Sequence, residues 1–182
     1  MLNQTVLEII LKVIDLFIFI LPAYVANATP IVLKTGSSPP IDMRLKWGDK
    51  RRILGKGKTV LGFILGVAVG TLVGALIASV KLFYASFETQ VMAAFLMSLG
   101  AMTGDSLGSF MKRRLNFPRD KPFYMVDQLS FIIVALLFGY IIGSVPSFVD
   151  TAGIVLIIII TIILHVGTNY LAYKLGLKRV PH

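Results

Sequence analysis

Five long stretches of this chain carry little or no charge, at about 6–33, 59–80, 90–111, 128–149 and 151–173. Each reaches the roughly 20 apolar residues that a helix needs to cross a hydrocarbon core of about 30 Å. Composition agrees: 56% of residues are hydrophobic and 15% charged, and mean hydropathy is +0.83, well outside the soluble range. The expected fold is therefore an all-α integral membrane protein, a bundle of about five transmembrane helices. One transmembrane domain, 1–182, accounts for the whole length and leaves no room for a separate soluble domain. The first stretch is the least regular. Glu8, Lys12 and Asp15 lie in its opening turns, and Pro22 and Pro30 predict a bent or broken helix. Ala26-Asn27-Ala28 looks like a signal-peptidase site, but the chain lacks a preceding positive cluster and the apolar run is long, so this stretch is read as a retained span.

Charge sets the expected orientation. Sixteen of the eighteen Lys and Arg fall in residues 34–58, 112–121 and the tail from Lys174. A five-span bundle puts all three segments on one side, which the positive-inside rule makes the cytoplasm. The N-terminus is then outside and the C-terminus inside, with cytoplasmic loops at 34–58 and 112–127. The net charge of +9 is thus first a basic membrane surface rather than a nucleic-acid footprint, and no nucleic-acid partner is expected. The same density of cations also suits a polyphosphate. Cysteine is absent, which excludes disulfides, thiolate metal sites and cysteine nucleophiles. The two histidines, His165 and His182, do not make a zinc site alone.

Gly62, Gly66, Gly70 and Gly74 recur every four residues in the second stretch and so line one helix face. Small residues at this spacing let helix backbones approach closely. The partner is either another helix of the chain or a second copy in a homodimer. Just before this stretch stands Gly55-Lys56-Gly57-Lys58-Thr59. The P-loop pattern requires a glycine five positions before Gly57, and Arg52 stands there, with no strand upstream. Two readings of the segment remain: lysines anchoring the span at the interface, or lysines and free N–H groups at a helix N-terminus holding a phosphate.

The segment from Gly104 to Phe131 concentrates chemistry. Asp105 lies near the cytoplasmic end of the third stretch, and Gly108, Ser109 and Lys112 share its face at i+3, i+4 and i+7. The following loop carries Lys112, Arg113, Arg114, Arg119, Asp120 and Lys121, and the chain re-enters the membrane near Asp127. Asp105 and Asp127 thus fall at similar depth. Ionisable groups in a span are expensive and point to function. Two carboxylates beside a cationic loop suit Mg²⁺ held by oxygens with phosphates completing its shell; the alternative is a set of Asp to Lys/Arg salt bridges that stabilise the loop. Two further polar groups lie in apolar surroundings: Asn27, three residues after Tyr24, and the face formed by His165, Thr168 and Asn169. Interhelical hydrogen bonding explains both groups adequately, and ligand binding is the lesser alternative.

Gly-Asp-Ser-Leu-Gly-Ser-Phe-Met-Lys-Arg-Arg at 104–114, followed by Val-Asp-Gln-Leu-Ser-Phe at 126–131, resembles the signature of the CDP-diglyceride synthase (phosphatidate cytidylyltransferase) family. The blocks at 22–30, 55–66 and 165–178 are similar to those of its short archaeal branch, the CDP-archaeol synthases, so the likeness covers most of the chain. The Gly-His-Gly-Gly segment of the bacterial members is missing. Ser130 also stands where archaeal relatives often have an acid, so the resemblance carries no metal role to that position.

The resemblance implies a cytidylyltransferase that joins CTP to 2,3-bis-(O-geranylgeranyl)-glycerol 1-phosphate, releasing pyrophosphate, in archaeal membrane lipid biosynthesis. It implies Mg²⁺ on Asp105 and Asp127, with Lys112 also catalytic. Lys112, Arg113 and Arg114 would take phosphates; Lys56, Lys58 and Thr59 the triphosphate; Asn27 nucleotide or metal. Ser109 and Asp120 complete the substrate-binding set. Two rivals differ in pattern. A CDP-alcohol phosphotransferase requires D-G-x-x-A-R, and Asp105 is followed by Ser106 with no Ala-Arg. A small ion or solute transporter would spread polar groups through the midplane with signs of a repeat, whereas most charges here collect at one face.

Overall fold

The computed structural model describes residues 4–55, 57–117, 123–142 and 145–176, without the side chains of Tyr124, Met125, Asp127, His165, Asn169 and Ala172. Five α-helices follow in order: α1 Gln4–Val32, α2 Val60–Ala78, α3 Phe87–Arg114, α4 Tyr124–Gly139 and α5 Thr151–Lys174. Short 3-10 turns stand at Thr35–Ser37 and Tyr140–Ile142, and the described residues contain no strand beyond two isolated bridges. α1, α2, α3 and the Thr151–Thr168 part of α5 are long and apolar enough to cross a membrane. At 16 residues, α4 rises only about 24 Å, and the 3-10 turn extends its apolar run to Ile142.

Polar residues at the edges of the apolar stretches start three of the helices. The side chains of Thr59, Ser86 and Asp150 accept hydrogen bonds from the N–H groups of Gly62, Thr89 and Gly153, capping α2, α3 and α5. Lys112, Arg113 and Arg114 close α3, where cations suit the helix dipole.

α3 packs against α1, α2 and α4; α1 and α2 also pack on each other, while α5 rests lightly on α1 and α4. The buried core takes Leu16, Ile20 and Ala23 from α1, Met97 and Ala101 from α3, Phe131 and Ile132 from α4, and Ile157 from α5. At the end opposite the basic loops, Phe19, Phe83 and Phe148 meet edge to face. Two ion pairs close the same end, Lys12 with Asp150 at 2.8 Å and Lys81 with Asp15.

Two of the readings above are narrowed. Of the bent or broken helix expected for the first stretch, the break is absent: α1 runs continuously through Pro22 and Pro30. Pro30 removes the donor that would reach the Ala26 carbonyl, and that oxygen instead lies 2.8 Å from where a Cβ on Gly66 would stand. The lost helix bond thus becomes a site of close helix approach. The glycine stripe of α2, weighed above as a homodimer surface, is also filled from within the chain. Gly62 faces Thr35 and Pro30, Gly66 faces Ala26 and Met102, Gly70 faces Ser98 and Pro22, and Gly74 faces Ala94. α1 and α3 occupy this face, so it is closed to a second copy. A further stripe, Gly100, Gly104 and Gly108 on α3, brings α4 equally close. A Cβ on Gly104 would stand 2.8 Å from the Phe131 Cα and run into the Ser130 carbonyl.

Candidate active site

The connection between α1 and α2 folds around one buried carboxylate. Asp42 accepts both Nε and Nη2 of Arg52 and the backbone N–H groups of Arg44, Leu54 and Gly55 at 3.0–3.1 Å. Burial alone would raise its pKa; Arg52 and the three N–H groups outweigh this and hold it at about 2. Gly55 takes a φ of +105°, a conformation that side chains resist. It gives its N–H to Asp42, while its α-carbon side faces Arg113, whose Nε lies 3.6 Å from the position of a Cβ.

This loop delivers Lys58. The Ile41 N–H donates to the Lys58 carbonyl and the Val60 N–H to the Pro39 carbonyl, both at 2.9 Å, so the backbone is fixed on both sides of the lysine. The Lys58 ammonium then pairs with the Asp105 carboxylate of α3. Arg114 binds the loop at 2.8 Å to both the Asp49 carboxylate and the Arg52 carbonyl, and lies over the Phe110 and Trp47 rings. Arg51 donates to the Arg113 carbonyl at 3.4 Å.

The sequence candidates fall into distinct places. Lys58 and Asp105 meet. Ser109 is half-buried one turn beyond Asp105, and Lys112 is buried on the face continued from Gly104 and Gly108. The Arg113 Nε is buried without a hydrogen-bond partner among the described residues. Arg114 is engaged in holding the loop. Thr59 is buried as the α2 cap, 3.4 Å from the Thr35 hydroxyl. Lys56 and Asp120 lie outside the described residues, as does the side chain of Asp127. The backbone of α4 still locates position 127: Val126 and Ser130 both touch the Gly108 site, at 3.4 and 2.6 Å from a Cβ there. That puts position 127 within about one turn of Asp105 along the α3/α4 seam.

Helix register extends this layer. The Tyr24 hydroxyl donates to Thr161 at 2.6 Å, and its ring meets Phe131 edge to face at 5.4 Å. One turn nearer the basic loops from these three residues are Asn27 on α1, position 127 on α4 and position 165 on α5. Four helices therefore bring positions 27, 105, 127 and 165 to one level, which the separate sequence motifs did not reveal. Asn27 is half-buried, and its side chain makes no hydrogen bond among the described residues. Thr168 donates back to the Leu164 carbonyl. Asp42, Asp49 and Trp47 were not singled out from sequence at all. Their only signal there was that Asp42 and Asp49 are the two acids in a loop of eight cations.

Fold and site together define a class: a helical bundle of membrane-spanning type, with carboxylates and cations gathered at one end. Comparison with known proteins makes this specific. The family model described as CarS-like CDP-archaeol synthase matches residues 6–182. The CDP-archaeol synthase of Thermococcus gammatolerans is 50% identical, over 90% of this chain and 92% of that protein. Those of Pyrococcus horikoshii and Archaeoglobus fulgidus are 44% and 40% identical, over 93% and 96% of this chain and 97% and 99% of theirs. A solved structure of an intramembrane enzyme for archaeal membrane lipids biosynthesis superimposes with a TM-score of 0.74 at 34% identity, covering 86% of this chain and 94% of that one. The chain belongs to the CDP-archaeol synthase family. It is a membrane-embedded nucleotidyltransferase, as the sequence resemblance implied.

Proposed function

We propose that this enzyme transfers the cytidylyl group of CTP to 2,3-bis-(O-geranylgeranyl)-glycerol 1-phosphate, with the basic end of the bundle facing the cytoplasm. A lipid phosphate oxygen attacks the α-phosphorus of CTP, a new P–O–P bond forms, and the bond to the β-phosphate breaks to release pyrophosphate. No general base is needed, because the lipid phosphate is already an anion. Catalysis then rests on positioning and charge neutralisation.

The observation that carries this reading is the Lys58–Asp105 pair, formed by a prefolded loop reaching the membrane helix. Lys58 suits a triphosphate oxygen. The buried Lys112 and the Arg113 guanidinium, whose Nε has no partner, suit the remaining phosphates. The Asp105 carboxylate is 29% exposed, and with Ser109 one turn along α3 and Asn27 at the same level of the bundle the donors on offer are hard oxygens, which fit Mg²⁺. Asp105 and Asp127 would hold the ion. When bound, Mg²⁺ would neutralise phosphate charge as the α-phosphorus is attacked. The polar layer at 27, 105, 127 and 165 lies at one end of the bundle rather than across it, which favours the enzyme over the transporter weighed from sequence.

The test is pyrophosphate release by purified protein given CTP, ATP or GTP with ether- or ester-linked lipid phosphates. Release with CTP and the isoprenoid ether substrate, abolished by Asp105→Asn, is expected. Equal release with ATP, or none with any lipid phosphate, overturns the reading.

A further inference from the structure

We propose that the outer face of the α1–α2 connection is a docking surface for the anionic headgroups of the surrounding membrane. Its lining includes none of the residues assigned to the reaction. Residues 43–47 alternate apolar and basic side chains, Met43, Arg44, Leu45, Lys46 and Trp47. The three apolar ones are 62%, 61% and 56% exposed. Arg44 and Lys46 border an open groove with Ser37, Ser38 and Arg52.

Charge on this face is one-sided for a structural reason. The two nearby carboxylates are both already paired, the buried Asp42 with Arg52 and Asp49 with Arg114. Arg44, Lys46 and Lys50 have no acidic partner among the described residues. A soluble polyphosphate would use the cations and leave Met43, Leu45 and Trp47 in water. An anionic bilayer surface uses both, since phosphates meet the cations while the apolar side chains enter the headgroup and acyl boundary. Trp47 is of the type enriched at that boundary, and its edge contact with Phe110, 5.6 Å between centroids, ties the segment to α3.

Trp47 is the only tryptophan of the chain, so its fluorescence reports on this face directly. The full chain is reconstituted into phosphatidylcholine vesicles in which roughly a third of the lipid is either brominated phosphatidylglycerol or brominated phosphatidylcholine. At low salt the anionic quencher should act at least about twofold more strongly, since each basic residue near a membrane surface favours anionic lipid about fivefold. That preference should vanish near 1 M salt, where screening shortens to about 3 Å. It should also vanish in Arg44→Glu/Lys46→Glu, with CTP turnover in detergent retained. If the reversed pair does not fold, Arg44→Gln/Lys46→Gln carries the same expectation. Equal quenching by the two lipids in the unaltered chain overturns the proposal. So does loss of CTP turnover with unchanged quenching, which would assign the groove to the nucleotide.

Discussion

The carboxylate of Asp42 has no solvent exposure, yet one guanidinium and three N–H groups hold it ionised. Its pKa of about 2 lies below the ordinary 3.8, a difference of about 2 kcal/mol in favour of the folded loop. Because the folded value is the lower one, this stabilisation is present above about pH 4 and is lost as pH falls toward 2. Asp42→Asn should reduce stability in detergent by about 2 kcal/mol, read as a lowered midpoint of unfolding at neutral pH, with the gap to the parent narrowing below pH 4. A constant gap across that range would remove Asp42 as the charged centre of the loop. For the reacting pair, Asp105→Asn and Lys58→Met should each lower kcat by about 100-fold or more, and the double variant should be little worse than either alone. Additive losses in pyrophosphate release would show that the two act separately. Asp105 was legible in the sequence because a charge inside an apolar helix is costly and conspicuous. Asp42 was not, since its partners other than Arg44 lie ten to thirteen residues away in an irregular loop with no periodicity to reveal them.

At the scale of helices, backbone approach sets the geometry of the site. A Cβ on Gly104 meets the Ser130 carbonyl and the Phe131 Cα, neither of which is free to move aside. Gly104→Ala should therefore push α4 away from α3 and lower both detergent stability and turnover, by about 1–3 kcal/mol in stability. Gly167→Ala, with nothing within 4 Å of the added carbon, should be neutral or stabilising by up to about 1 kcal/mol. Thermal denaturation of the two variants checks this, and equal effects would contradict the packing described for the seam. All five helices were visible as apolar stretches, but their ends were not. α3 runs from Phe87 to Arg114 rather than 90–111, because a serine cap and a cationic last turn extend a helix without adding hydrophobicity. α4 ends at Gly139 rather than near 149. The apolar run there continues into a 3-10 turn and a connection containing Pro146, which hydropathy alone does not separate from helix. The α2 stripe was plain as a pattern, yet its partner was not, since glycine spacing carries no information about what covers it.

For the molecule as a whole, the two ends of the bundle are chemically unlike. Lys12 and Lys81, the only Lys or Arg outside the three basic segments, are each paired with an aspartate at the aromatic-closed end. The proposed topology places that end outside. The chain has no cysteine, so Lys50→Cys and Ala85→Cys variants in intact cells test it: an impermeant maleimide should label position 85 and spare position 50. The reverse pattern would invert the topology. Asp150 both caps α5 and pairs with Lys12. Asp150→Ala should thus destabilise more than Lys12→Ala, with salt reducing the effect of the lysine change in a thermal shift assay. Within the bilayer, the Tyr24 hydroxyl ties α1 to α5 through its hydrogen bond to Thr161. Beyond it, Ile163, Val166, Leu171 and Leu175 stand exposed. Among the described residues no protein surface covers these side chains, and their apolar faces suit lipid tails. In a bilayer the membrane would serve as a wall of the tertiary structure, so that an enzyme of membrane lipid synthesis would be folded in part by the class of molecule it helps to make.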